Sequence, residues 1–183
     1  NLWTMQQAGY TGPMETEANN AEAKPGGAAP RDQQDTELRS LYEQAFVLSD
    51  RDARAAKDMA DTIYRMAEER GSFYWQALSR YLAGFCTYNL SEYDSAMQEF
   101  EHGQRIAREH GLQNLVVKFH NGYGAIYDRL GRYDQAVAEF AEGLKGAREM
   151  GLTSDVAHFL VNIGEASLLM GDAAQALALE TQA

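Results

Sequence analysis

The chain has 183 residues, of which 45% are hydrophobic, and a formal net charge of −11. That length suits one ordinary domain with a sizeable core, and so acidic a surface excludes nucleic acid and anionic lipid as default partners. Cys86 is the single cysteine, which rules out an internal disulfide framework and any CxxC metal or redox pair. No run approaches the ~18–20 apolar residues of a membrane span. A cytoplasmic protein with no membrane span is expected.

In chain order, the first stretch is an outlier. NLWTMQQAGY has neither a charged n-region nor an apolar h-region, so it is no intact signal peptide. It also lacks an initiator Met, and the natural gene is expected to begin upstream. ANNAEAKPGGAAP, which follows, is too poor in large apolar residues to build a core. Residues 1–32 read as a flexible or docking tail, with Trp3 and Tyr10 as its candidate anchors.

From about Gln33 the composition turns helical, rich in Ala, Leu, Glu, Arg and Gln, and no proline follows Pro30. Small and apolar residues recur at three- and four-residue spacings, as in Ala96, Phe100, Gly103 and Ala107. The chain also repeats itself: LSEYDSAMQEF at Leu90–Phe100 returns as LGRYDQAVAEF at Leu130–Phe140. Gly71, Gly111 and Gly151 lie 40 apart, as do Gly84, Gly124 and Gly164, and also Ala56, Ala96, Ala136 and Ala176. Self-similarity at a fixed period of this size signals a solenoid.

The predicted units are 33–72, 73–112, 113–152 and a truncated 153–183, each a pair of helices. In unit three the first helix is predicted from about Asn114 to Leu130 and the second from about Tyr133 to Met150. Gly131 and Gly151 act as stops that tolerate positive φ. Leu112 and Leu152 directly follow glycines, which suits a Schellman motif. Small residues on both helices of a pair let their axes approach, with Phe100, Phe140 and Tyr127 filling the space beside the contact. One hairpin cannot bury both faces, so hairpins stack.

Catalytic chemistry is not apparent. His102, His110, His120 and His158 form no HExxH pair and have no cysteine at ligand spacing. Gly122-x-Gly124 lacks a third glycine and a preceding strand, which makes it a packing feature and no dinucleotide site. No GxSxG or P-loop pattern occurs. The chain is expected to be no enzyme and to need no cofactor or metal.

The glycine, alanine and aromatic positions resemble the tetratricopeptide repeat. Unit three carries the motif best: Tyr123-Gly124, Tyr127, Ala136, Phe140 and Gly143. Unit two gives Ala83-Gly84, Ala96, Phe100 and Gly103, with Thr87 in place of an aromatic. Unit four gives Ile163-Gly164 and Ala176, with Ala173 where Tyr93 and Tyr133 stand. Unit one keeps Ala56 but has Gln44 and Ala60 for Gly and Phe. The period of 40 exceeds the usual ~34, and the six extra residues are expected to lengthen the second helix by ~9 Å. The implied fold class is all-α, a right-handed α-solenoid of about four helix-turn-helix repeats.

The resemblance further implies a concave groove, lined by first helices, that takes a protein or peptide ligand. Projected onto this chain, the groove positions are Leu78, Tyr81, Phe85, Tyr88 and Asn89 from unit two. Unit three gives Lys118, Asn121, Ala125, Asp128 and Arg129, and unit four His158, Val161, Asn162, Glu165 and Leu168. Aromatics anchor interfaces and Asn can satisfy a peptide backbone. Tyr81 and Phe85 have a second reading as core between units. They also stand where a carboxylate clamp for chaperone tails needs Lys and Asn, so Lys118, Asn121 and Asn162 are not expected to make one.

Long repeats ending in A-R-E-x-G-L look like those of bacterial signalling proteins, where they precede diguanylate cyclase, kinase or DNA-binding output domains. The expected function is therefore a regulatory interaction module within such a protein. The ligand could be external or intramolecular, supplied by the tail or by a downstream domain. The alternative is a stand-alone adaptor that homodimerises through an open C-terminal end, where Leu177 and Leu179 lack a polar capping helix.

Overall fold

A computed structural model of the chain describes the backbone over residues 35–180 and the side chains over 35–171; the expected tail lies outside the described residues. Seven helices are described: α1 Thr36–Ser49, α2 Ala53–Glu69, α3 Phe73–Asn89, α4 Tyr93–Glu109, α5 Gln113–Arg129, α6 Tyr133–Met150 and α7 Thr153–Glu180. The architecture is an all-α helical-repeat solenoid, with hairpins α1–α2, α3–α4 and α5–α6 falling in the three predicted full units.

The turns explain this regularity. Gly71, Gly111, Gly131 and Gly151 take φ between 66° and 71°, and Ser91 takes 61°. These five left-handed residues recur every 20 positions. After each one, the next amide donates back across the helix end, as Leu112 N to Ala107 O at 2.8 Å and Arg132 N to Tyr127 O at 2.9 Å. This is the Schellman geometry expected at Leu112 and Leu152. Since α3, α4 and α5 each have 17 residues and α6 has 18, the long period is shared equally between the two helices of a unit. It does not lengthen the second helix alone, as the resemblance had suggested.

Glycine sockets set the packing. A β-carbon on Gly84 would come within 2.4 Å of the Phe100 ring, and one on Gly124 within 2.3 Å of Phe140. These contacts close the α3–α4 and α5–α6 hairpins. A second series, offset by one helix, joins successive hairpins: Phe119 of α5 fills the socket at Gly103 of α4, and Phe159 of α7 fills that at Gly143 of α6. Phe100 is shared, because its ring also occupies the place of a β-carbon on Gly122 of α5, at 2.6 Å. The core runs from Leu38 to Ile126 and continues as a smaller cluster from Val117 to Ala166, with Tyr127 packed against both.

Unit four departs from the sequence expectation of a fourth hairpin. Gly171 is next in the 20-residue register of turns, yet α7 runs through it as one 28-residue helix. Gly164 accordingly meets nothing within 4 Å.

The helices form two layers. Odd-numbered helices approach one another directly, α1 with α3 and α3 with α5. The even-numbered α2 and α4 are bridged by long polar side chains, Lys57 to Glu99 at 3.6 Å and Tyr64 to His102 at 3.4 Å. The odd layer is therefore the tighter, inner side.

Candidate functional site

The inner face carries two polar rungs. In one, Asn162 of α7 donates Nδ2 to Oδ1 of Asn121 on α5 at 2.9 Å, and Asn121 lies beside the Tyr81 hydroxyl of α3. In the other, Arg129 of α5 donates Nε to the Tyr88 hydroxyl of α3 at 2.8 Å, next to half-buried Asp128. Tyr81 and Tyr88 are seven residues apart, as are Asn121 and Asp128, so the rungs sit two turns apart on one face, ~10.5 Å along the axis. Further along, Asn89 reaches back to the Ser49 carbonyl at 3.4 Å. These links join residues 40 or 41 apart, which is the repeat made visible in hydrogen bonds.

Burial corrects the expected aromatic end of the groove. Leu78 is 1% exposed, Phe85 2%, Tyr88 6% and Tyr81 9%. Phe85 stacks on Phe46 at 5.6 Å, and Tyr81 packs on Phe100 and Phe119. These four are core residues, and their carbon surface is closed to a partner. The cause is the central place of α3, in which every residue from Tyr74 to Tyr88 is buried because α1, α2, α4 and α5 all pack around it. Burial pushes the Tyr81 phenol up to about 12, while Asn121 pulls it down. Burial likewise lifts Cys86 to about 12, so its thiol is held protonated and inert.

The polar end is where the surface opens. Asn89, Arg129 and Glu165 are exposed, and Lys118, Asp128, His158 and Asn162 are half-buried, while Asn121 and Ala125 are buried beneath them. Burial raises the Asp128 carboxyl, and neighbouring Arg129 offsets this in part. Val161 and Leu168 are exposed.

No family model, curated protein or solved structure matches the chain.

Sequence reasoning missed the outer side's polar centre. Arg80 of α3 is only 8% exposed. Its Nη2 donates to Asp61 of α2 at 2.6 Å and its Nη1 to Glu99 of α4 at 2.9 Å, while the guanidinium lies 4.4 Å above the Tyr64 ring. Lys57 adds a contact to Asp61 at 2.9 Å. Burial raises the Asp61 carboxyl, but the Arg80 and then the Lys57 hydrogen bonds outweigh it and hold the group below its ordinary range. Forty residues on, His120 of α5 meets Glu139 of α6 at 2.8 Å, the same pair in shorter form. The signal was available: a charge inside FYWQALSRYLAGF demands a buried partner. Among the described residues, no group of three or more His, Cys, Asp or Glu could hold a metal, and no helix is long and apolar enough to cross a membrane.

Proposed function

We propose that this chain is a non-catalytic protein-interaction module of the tetratricopeptide type, acting in the cytoplasm as the regulatory part of a larger bacterial signalling protein. The observation that carries the interaction role is the polar strip on the inner layer. Lys118, Asp128, Arg129, Asn162 and Glu165 stand at least partly open on α5 and α7, with side-chain amides that can pair with a peptide backbone. The ligand is an extended peptide segment, external or from the same polypeptide, laid across α5 and α7. A random peptide library panned on the immobilised chain tests this. An enriched peptide should bind the wild type and lose most of its affinity in Lys118→Glu/Glu165→Lys, with unchanged melting. Equal binding by the variant defeats the assignment.

A specific observation also favours self-association. On α7, Leu160, Val161, Leu168, Leu169 and Met170 are 41–66% exposed, and Val161 with Leu168, two turns apart on one face, form an apolar strip of the kind that marks interaction surfaces. Light scattering that shows a dimer forming with concentration, and dispersing in Val161→Glu/Leu168→Glu, supports the adaptor alternative. A monomer at all concentrations removes it.

A further inference from the structure

The α3–α4 and α5–α6 hairpins are built alike, yet one is plugged and the other is open. In α3–α4, Phe73 stacks face to face on His110 with centroids 3.4 Å apart, and Ile106 is buried at 6% exposure behind it. Forty residues on, the same positions hold Gln113, Met150 and Gly146. Val117, which stands where unit two has Ala77, takes up the space over Gly146, and the loss of the stacked rings leaves a cleft of about 190 Å³ between α5 and α6. It is smaller than the ~300–1,000 Å³ of ordinary ligand pockets, which makes it the size of one side chain.

Its chemistry is divided. Val116 and Val117, both at least nine-tenths buried, form an apolar floor with Gly146 and Met150. Glu142 and Glu149 stand exposed at the rim, seven residues apart on one face of α6. Among the described residues neither of them forms an ion pair. His120 at the inner end is already engaged with Glu139. An aliphatic stem fits the floor, and a cationic head then sits between two unpaired carboxylates, as Lys and Arg side chains do when their stems are buried and their charge stays wet.

From this geometry we infer that the α5–α6 cleft binds an alkylammonium group, the lysine side chain of a partner protein or a free aliphatic amine. The site is separate from the inner strip and stands without it. The chain's net charge of −11 favours cationic ligands at long range.

The test is an NMR titration of the full chain with n-butylamine hydrochloride and, in parallel, with N-acetyl-lysine amide, against sodium chloride at equal ionic strength. Saturable shifts at Val117, Gly146, Glu142 and Glu149 are expected from at least one amine. Glu142→Gln/Glu149→Gln should weaken binding about tenfold, since two exposed charge pairs are removed. Gln113→Phe restores the phenyl plug at an exposed position and should abolish binding with the fold intact by circular dichroism. Tighter binding of the lysine derivative identifies a chain-borne side chain as ligand; equal or weaker binding identifies a free amine. Shifts matched by sodium chloride, or binding unchanged in both variants, overturn the inference.

Discussion

The ring of Phe140 occupies the space that a β-carbon on Gly124 would need, at 2.3 Å, while the matching glycine one repeat later, Gly164, has nothing within 4 Å. Two glycines in the same register thus have opposite reasons to be glycine. Gly124→Ala forces the buried Phe140 to move and should destabilise the fold by about 1–3 kcal/mol. Gly164→Ala replaces a poor helix former on an exposed face and should stabilise the fold by about 0.5–1 kcal/mol. Urea melts of the two variants give the sign of each.

Ser91 holds φ 61° at a place where the four neighbouring turns use glycine. A left-handed residue with a β-carbon costs about 1–2 kcal/mol, part of which glycine returns through unfolded-chain entropy. Ser91→Gly should therefore raise stability by about 0.5–1 kcal/mol, and Ser91→Val should lower it. Thermal melts that reverse this order would contradict the turn geometry.

Arg80 binds α2 to α4 through Asp61 and Glu99 from a position only 8% exposed. Its replacement by Ala leaves Asp61 to Lys57, strands Glu99 with only the longer Lys57 contact at 3.6 Å, and opens a cavity, at a cost of about 2–4 kcal/mol. Arg80→Leu/Glu99→Leu removes the stranded Glu99 charge as well and should recover part of that loss. A double variant less stable than Arg80→Leu alone would show that lost packing, and not stranded charge, sets the cost of replacing Arg80.

Burial, with Arg80 and Arg105 nearby, holds His102 below its ordinary 6.5. The unfolded chain then binds the proton more readily, so stability is full above pH 6.5 and falls as pH drops through the folded value. Asp61 has a depressed carboxyl and adds a further loss as pH falls below 3.8. Denaturant midpoints between pH 5 and 7 should slope downward toward acid, and His102→Gln should flatten that slope.

The repeat was legible because its determinants are local. Glycine at 71, 111, 131 and 151 is needed by a left-handed turn, and Gly84 and Gly124 by a ring, so each marks its place in the letters alone. Three hairpins and the stops of α4, α5 and α6 followed directly. The sockets that Phe119 and Phe159 fill were harder to read, because the filler and the glycine lie on helices of different units. Burial of Tyr81 and Phe85 depended on how tightly α1 and α5 close over α3, a matter of curvature that a repeat period does not fix. The missing hairpin in unit four could not be read from the glycine register, since Gly171 repeats the spacing of the earlier turns yet lies within α7. Arg80 was overlooked because its partners are 19 residues away on each side, beyond any helical periodicity.

The inner polar strip is the central functional claim, and NMR mapping of a library-selected peptide on the wild-type chain tests it most directly. Shifts concentrated at Lys118, Asn121, Asp128, Asn162 and Glu165 are the predicted result. Shifts confined to α2, α4 and α6, or to Leu160, Leu169 and Met170 of α7, would contradict it.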